Sequence, residues 1–268
     1  MDRSYWDGLA ATYDEEVLSS FDADRSGIIN RRISELGGPK KTVLDLGCGV
    51  GKYLQPLSKA FGQVIGVDHS EELLKIARRD HGHRKNVELR KLDAAKGRAI
   101  HGLRANVVVC ANVLIMADTD LREAILEVAR KSMARNGRLL LVVPSLESAL
   151  LAHRRLVQWY ERDGSKDAET EAEQEGFNPS KRTCQDLLRG VVRIEDVPTK
   201  HYLAEELGLT LSAHGLKALE VEKVPYEWDS EFGDAPKWMR APFPWDWMVV
   251  AEQGSGRRSC GKNTATRA

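Results

Sequence analysis

The chemistry in this chain concentrates in one short stretch, Val43-Leu44-Asp45-Leu46-Gly47-Cys48-Gly49-Val50-Gly51. Glycines directly after an apolar strand let the backbone turn sharply and approach a ligand where a Cβ would collide. Three ligand chemistries compete for such a turn. A phosphate cradle of the form GxxxxGK[ST] fails, because Lys52 is followed by Tyr53. A dinucleotide fingerprint, GxGxxG, needs a third glycine where Lys52 stands. What remains is an acid followed by GxGxG. An acid in the turn would repel a pyrophosphate, and it suits a cofactor carrying an ammonium or a sulfonium.

Two further acids close apolar runs. Asp68 ends Gln63-Val64-Ile65-Gly66-Val67, and Asp93 follows Val87-Glu88-Leu89-Arg90-Lys91-Leu92. Together these residues resemble the class I S-adenosylmethionine-dependent methyltransferases. The first motif of that family, [DE]xGxGxG, is matched by Asp45, Gly47, Gly49 and Gly51, with Cys48 inside the turn. The resemblance implies S-adenosyl-L-methionine as cofactor and S-adenosyl-L-homocysteine as its product. It assigns Asp68 to both ribose hydroxyls, a bidentate role that suits a carboxylate. His69 then lies beside the ribose or adenine edge. Asp93 accepts from the adenine amino group, and Ala94 offers a backbone N–H to an adenine ring nitrogen. Asn112, after the apolar run 107–111, faces the cofactor. The segment 5–14 is similar to the N-terminal segment of many small-molecule methyltransferases, whose tyrosine, here Tyr13, covers the methionine end. Plainer readings stand beside these: a helix-start acid for Asp68 (a position NAD enzymes also fill with an acid), a loop aspartate for Asp93, an exposed histidine for His69, a strand cap for Asn112, helix packing for Tyr13.

Methyl transfer from a sulfonium is an in-line displacement, so the enzyme must position the nucleophile and exclude water. An amine or hydroxyl acceptor still needs its proton removed. Candidate bases are His201, Tyr202 and His153, each with a surface or structural alternative. The tetrapeptide [NDS]PP[YFW] of amino-group DNA methyltransferases is absent where Asn112-Val113-Leu114-Ile115 stands. Four of the six tryptophans fall between Tyr226 and Trp247, where the rings form either a cage for a cationic or planar substrate or the packing of a lid. Asp118 and Asp120 look no different from a helix cap, so no metal is expected. His81 and His83 sit in the basic segment 75–91, on what reads as a solvated helix end that could touch RNA phosphate.

These residues need a frame. Apolar runs at 42–46, 63–68, 86–92, 105–111 and 138–143 read as strands, separated by amphipathic helices at 52–60, 70–77 and 120–133, the second capped by Ser70. Such alternation predicts an α/β, doubly wound, mostly parallel sheet. The resemblance extends it to seven strands with a reversed last strand and helical or loop lid insertions. The pair 217–228 and 245–252 looks like the reversed sixth and seventh strands. Residues 145–162 read as a long helix, and 201–214 as another. Residues 163–176 hold six acids against one lysine and read as an exposed loop or a frayed helix. The expected organisation is one methyltransferase domain over 1–252, with an N-terminal lid segment at 1–30, a lid insertion at 145–202 and a disordered tail at 253–268.

Composition narrows the function classes. In 268 residues, 40 Lys+Arg balance 40 Asp+Glu, which disfavours a surface devoted to nucleic acid. No run approaches the roughly 18–20 apolar residues of a membrane span, and the N-terminus lacks a signal-peptide pattern. Four scattered cysteines argue against a metal cluster or disulfide framework and for a cytoplasmic setting. The expectation is a methyltransferase acting on a small or medium-sized metabolite. Action on tRNA or protein, or a non-catalytic cofactor-binding module, are the alternatives. An NAD-dependent oxidoreductase ranks last, because Lys52 replaces the third fingerprint glycine.

Overall fold

The computed structural model describes residues 3–13, 18–96, 102–176, 186, 188–194 and 197–254. Helices α1 (Arg3–Leu9), α2 (Ser20–Ala23) and α3 (Ile28–Leu36) lead into strand β1 (Gly38–Leu46). Helix α4 (Leu54–Ala60), strand β2 (Phe61–Asp68), helix α5 (Glu71–His81) and strand β3 (Val87–Lys91) follow. Strand β4 (Ala105–Ala111), helix α6 (Thr119–Ser132) and strand β5 (Met133–Pro144) continue the alternation. Side-chain caps that satisfy otherwise orphaned N–H groups fix several helix starts, Ser19 accepting from Asp22 at the head of α2. Ser70 accepts from Leu73, Asp118 from Leu121, and Ser145 from Ser148 at the head of α7 (Leu146–Arg162).

The remaining elements are α8 (Ala168–Gly176), β6 (Val191–Ile194), β7 (Val197–Lys200), α9 (Ala204–Ala213), β8 (Leu216–Pro225), α10 (Asp229–Phe232) and β9 (Trp245–Gln253). Seven strands form one sheet in the order β3-β2-β1-β4-β5-β9-β8, and β6 and β7 form a separate antiparallel pair. Strands β1 to β5 pair in parallel, and β9 is antiparallel to both β5 and β8. Only the last strand is therefore reversed, not the last two. Neighbouring strands of a hairpin oppose each other, so just one of the pair can run against the rest.

Both faces of the sheet are covered, which explains the continuous apolar runs. Leu44, Leu46, Val108, Leu139, Leu141 and Val249 pack toward Leu126 and Ala129 of α6 and Leu207 and Leu211 of α9. Val43, Val107, Val109, Leu140, Met248 and Val250 pack toward Ile29 and Ile33 of α3 and Leu54 and Leu57 of α4. Each fully buried leucine contributes about 1.5–3 kcal/mol, so these two layers hold the strand ends in place.

Three local expectations change. The acidic stretch is not an exposed loop: α8 buries Ala168 and Ala172 against Leu156 and Val157 of α7. Two alanines four residues apart make a narrow apolar stripe that leaves the acids outside. The helix expected from 201 starts at Ala204, because His201 and Tyr202 are held extended by His201 N–H to Gly190 O at 2.7 Å and Tyr202 N–H to Pro144 O at 2.9 Å. Gln253 belongs to β9, and the rest of the expected tail from 255 lies outside the described residues. Among the described residues no helix is long and apolar enough to cross a membrane.

Candidate active site

The carboxyl ends of β1, β2, β4 and β5 face one side of the sheet. A crevice opens where β1 lies between β2 and β4, the point at which chain order reverses. A cavity of about 1200 Å³ occupies that edge. Its floor is the glycine turn. The N–H groups of Gly47 and Cys48 donate to Val67 O at 2.8 and 3.0 Å, pinning the turn to β2. Gly47 has φ +76°, and a Cβ there would stand 2.5 Å from Val113 Cγ2. Gly49 has φ +51°, and a Cβ there would lie 3.1 Å from the Tyr13 hydroxyl. The missing side chain thus keeps open the space beneath Tyr13.

Gly47, Cys48, Gly49, Asp68, His69, Asp93, Ala94, Asn112 and Tyr13 all line the cavity. Asp68 accepts from Gly49 N–H at 2.9 Å and from Ser70 N–H at 2.8 Å. His69 Nδ1 stands 3.8 Å from the same carboxylate. Asp93 accepts from Ala95 N–H at 3.0 Å and pairs with Lys96 at 3.0 Å. Burial pushes the Asp93 carboxyl up, but the Lys96 and Ala95 hydrogen bonds outweigh it and hold the group below its ordinary range. Asn112 adopts φ +55°, donates its N–H to Val142 O at 2.9 Å and its side-chain amide to Ser20 Oγ at 2.8 Å. Its Oδ1 is buried with no hydrogen-bond partner.

Asp45 and Gly51 lie behind this wall. The Asp45 side chain is 2% exposed, and burial, reinforced by the charge of Asp68, pushes its carboxyl up to about 7. Its Oδ2 has no partner. Such a group takes up negative charge readily only when a cation arrives nearby. Burial likewise pushes the Cys48 thiol up, so it is no nucleophile at neutral pH.

The candidate bases separate. His201 lines the cavity, with Nδ1 3.1 Å from Thr199 O. A carbonyl only accepts, so Nδ1 carries the proton and Nε2 the lone pair. Burial lowers the ring to about 4, which makes it a neutral, weak base. Tyr202 lies outside the cavity wall and donates its hydroxyl to Leu114 O at 2.8 Å, and burial raises its pKa. His153 is half-buried on α7, away from the cavity. The aromatic cage is not formed: Trp228 stacks on Phe232 at 5.5 Å, Trp245 packs edge-on to Trp247, and of that set only Tyr226 reaches the cavity. His81 is half-buried and reaches the turn at Gly51, so it is not on a solvated helix end. Among the described residues no group of three or more His, Cys, Asp or Glu is arranged around a metal site.

Several cavity residues escaped the sequence reading. Asp246 is 4% exposed and accepts from Ser20 Oγ at 2.5 Å. Burial pushes it up to about 6, against the Ser20 hydrogen bond. Tyr226 donates its hydroxyl to Glu231 at 2.9 Å. Glu231 lines the cavity with an exposed side chain, and the protein packed around its carboxyl pushes it up to about 7. One signal was available: Asp246 is a charged residue between two tryptophans, directly before the apolar run Trp247–Ala251. Because β9 runs reversed, its first residues fall at the same edge as the last residues of β4 and β5.

A family model described as a methyltransferase domain matches residues 43–137. An uncharacterized 37.1 kDa protein in transposon TN4556 of Streptomyces fradiae is 32% identical over 157 residues, 54% of this chain and 39% of that protein. A ubiquinone biosynthesis O-methyltransferase of Hydrogenovibrio crunogenus is 53% identical over 38 residues, 14% of this chain and 16% of that enzyme. The matches thus span well under two thirds of either curated relative. The fold is similar to that of a SAM-dependent methyltransferase from Anabaena variabilis, with a TM-score of 0.60 at 18% identity over 94% of this chain and 93% of that one. Residues 43–137, across the glycine turn, thus match a methyltransferase domain, and the complete seven-stranded sheet carries the fold seen in S-adenosylmethionine-dependent methyltransferases.

Proposed function

We propose that this protein moves the methyl group of S-adenosylmethionine to a small or medium-sized acceptor. The observation that carries this reading is the placement of Asp68 and Asp93 along one cavity at or just beyond the ends of β2 and β3, with the buried carboxyl of Asp45 behind its wall at the end of β1. The residues fit the cofactor. The orphaned Asp45 Oδ2 and Asn112 Oδ1 offer unused acceptors, and the gap at Gly49 leaves room under Tyr13. When bound, the cofactor supplies a methyl carbon already activated by a positively charged sulfur.

The chain's own residues do the rest. Asp68 has lone pairs to spare beyond its two backbone donors and can accept from the ribose. Asp93 and Ala94 stand at the β3 end for the adenine. Asn112 and Tyr13 flank the central turn, and the β5–β9 end is left for the acceptor. We take residues 1–252 as one unit in which the N-terminal segment and the insertion at 145–202 close over that end. A small acceptor is favoured over RNA because five cations of the basic segment are already paired: Lys75 with Glu72, Arg78 and Lys91 with Glu71, Arg79 with Asp80, and Arg90 with Glu88. Calorimetric titration with S-adenosylmethionine and S-adenosylhomocysteine tests the reading, and absence of binding at high micromolar ligand would sink it.

A further inference from the structure

We propose that the methyl acceptor is an amine, seated as an ammonium between Glu231 and Asp246, one of which takes its proton. This deepens the methyl-transfer reading and rests on it. The sheet order sets Asp93 and Asp246 five strand spacings apart, about 24 Å along the sheet. Asp246 therefore lies at the end away from the adenine residues. It is wired to the centre of the site, since the Ser20 hydroxyl that donates to it accepts from the Asn112 amide. Glu231, with Tyr226 as its donor, faces the same end.

Among the described residues the charge at this end is unbalanced. The cavity is lined by three permanent cations among the described residues, and each is drawn to another acid: Arg3 to Asp7 at 3.2 Å, Lys52 to Asp22 at 3.1 Å, Lys96 to Asp93 at 3.0 Å. A second observation points to a ligand. The Tyr53 hydroxyl, on a side chain only 9% exposed and on the wall of the same cavity, has no hydrogen-bond partner. Two carboxylates lining one cavity, Asp246 buried and Glu231 exposed at its mouth, and an unused hydroxyl match an ammonium, which brings both a positive charge and N–H donors. A carboxylate-bearing acceptor would be repelled, and a neutral alcohol would leave the charge uncompensated.

The step balances. The ammonium passes one proton to a carboxylate, which becomes a carboxylic acid. The freed nitrogen lone pair then forms the N–C bond to the methyl carbon as the C–S bond breaks, and that bond's electron pair stays on sulfur. The products are a methylated ammonium and a neutral thioether. Carboxyls raised to about 6 for the buried Asp246 and about 7 for Glu231 sit where a proton acceptor is effective at neutral pH.

The test uses three probes of matched size: phenethylamine, 4-ethylphenol and 3-phenylpropanoate. Each is titrated calorimetrically into the full chain with S-adenosylhomocysteine present. Phenethylamine is expected to bind best. Glu231→Gln and Asp246→Asn should each weaken it by about tenfold or more, the worth of one charged hydrogen bond, without changing S-adenosylhomocysteine affinity. Glu231→Gln, on a cavity-facing side chain, serves as the control for any folding defect in Asp246→Asn. Preference for the phenol or the carboxylate, no binding of the amine, or amine binding indifferent to both variants overturns the proposal. If the wild-type chain binds no S-adenosylhomocysteine, the methyltransferase reading fails, and the amine titration on the protein alone still decides whether the acidic end takes an ammonium.

Discussion

Asp68 and Gly49 are joined across the cavity floor by a backbone hydrogen bond of 2.9 Å, so the carboxylate that ends β2 also shapes the turn that follows β1. Its other oxygen holds Ser70 N–H. Replacing Asp68 with Asn leaves one acceptor oxygen for two backbone donors and turns an N–H₂ group toward one of them. We expect Asp68→Asn to cost about 1–3 kcal/mol of stability and to weaken S-adenosylhomocysteine binding by about tenfold to a hundredfold. Urea denaturation and calorimetry measure the two effects separately. An unchanged midpoint with unchanged affinity would refute the double role.

Gly47 meets Val113 from below. A Gly47→Ala variant combines a positive φ with a Cβ 2.5 Å from a valine methyl. Left-handed backbone costs an L-residue about 1–2 kcal/mol, and the overlap adds to it. The double variant Gly47→Ala/Val113→Ala should recover the steric part and retain the backbone part. A double-mutant cycle in denaturant gives the coupling, and strict additivity would show that Val113 is not the obstacle.

Acid titration inside the site sets a pH dependence. Asp45 ionises near 3.8 when exposed and near 7 in the fold, so the native state keeps a proton that the unfolded chain releases. Stability therefore falls as pH rises from about 4 to 7 and levels off above that. Asp246, raised to about 6, acts in the same direction over a narrower window. Relative to wild type, Asp45→Asn should be equally stable at pH 4 and gain roughly 2–4 kcal/mol by pH 7.5. Thermal melts across this range check the sign, and a gain at low pH would contradict it. The same variant should bind S-adenosylmethionine more weakly, since the field under the turn is lost.

His201 titrates the other way. Burial lowers its pKa from 6.5 to about 4, so the fold disfavours the imidazolium. Its contribution to stability is complete above about 6.5 and is lost as pH falls toward 4. Nitrogen-correlated NMR of the imidazole should show one neutral tautomer, protonated at Nδ1, from pH 5.5 to 8. An inflection near 6.5 would return His201 to the list of bases.

Much of the fold was legible because parallel strands buried on both faces are written as unbroken apolar runs, and 105–111 matches β4 residue for residue. The turn at 45–51 was equally plain, since its glycines are local requirements. What escaped depends on distant parts of the chain. Ser20 and Asp246 are 226 residues apart and acquire meaning only when β9 is laid reversed beside β5. Trp228 stacks on Phe232 and Trp245 packs on Trp247, pairings that ring counts do not show. Helix α8 hides in an acidic stretch because only Ala168 and Ala172 carry its packing.

Helix α1 buries none of its residues and is tied to the body of the molecule through Asp7 and the Ser70 hydroxyl at 2.5 Å. Yet Arg3, Ser4, Tyr5, Trp6 and Leu9 form part of the cavity wall. A wall so weakly attached opens at a fraction of the free energy needed to unfold the sheet. Ligand binding then does two things at once, since it covers the ligand and brings Trp6 and Leu9 into a dry contact they otherwise lack. The heat capacity of binding should accordingly be more negative than the ligand's own apolar area accounts for. The excess measures how much of the protein's surface the ligand recruits.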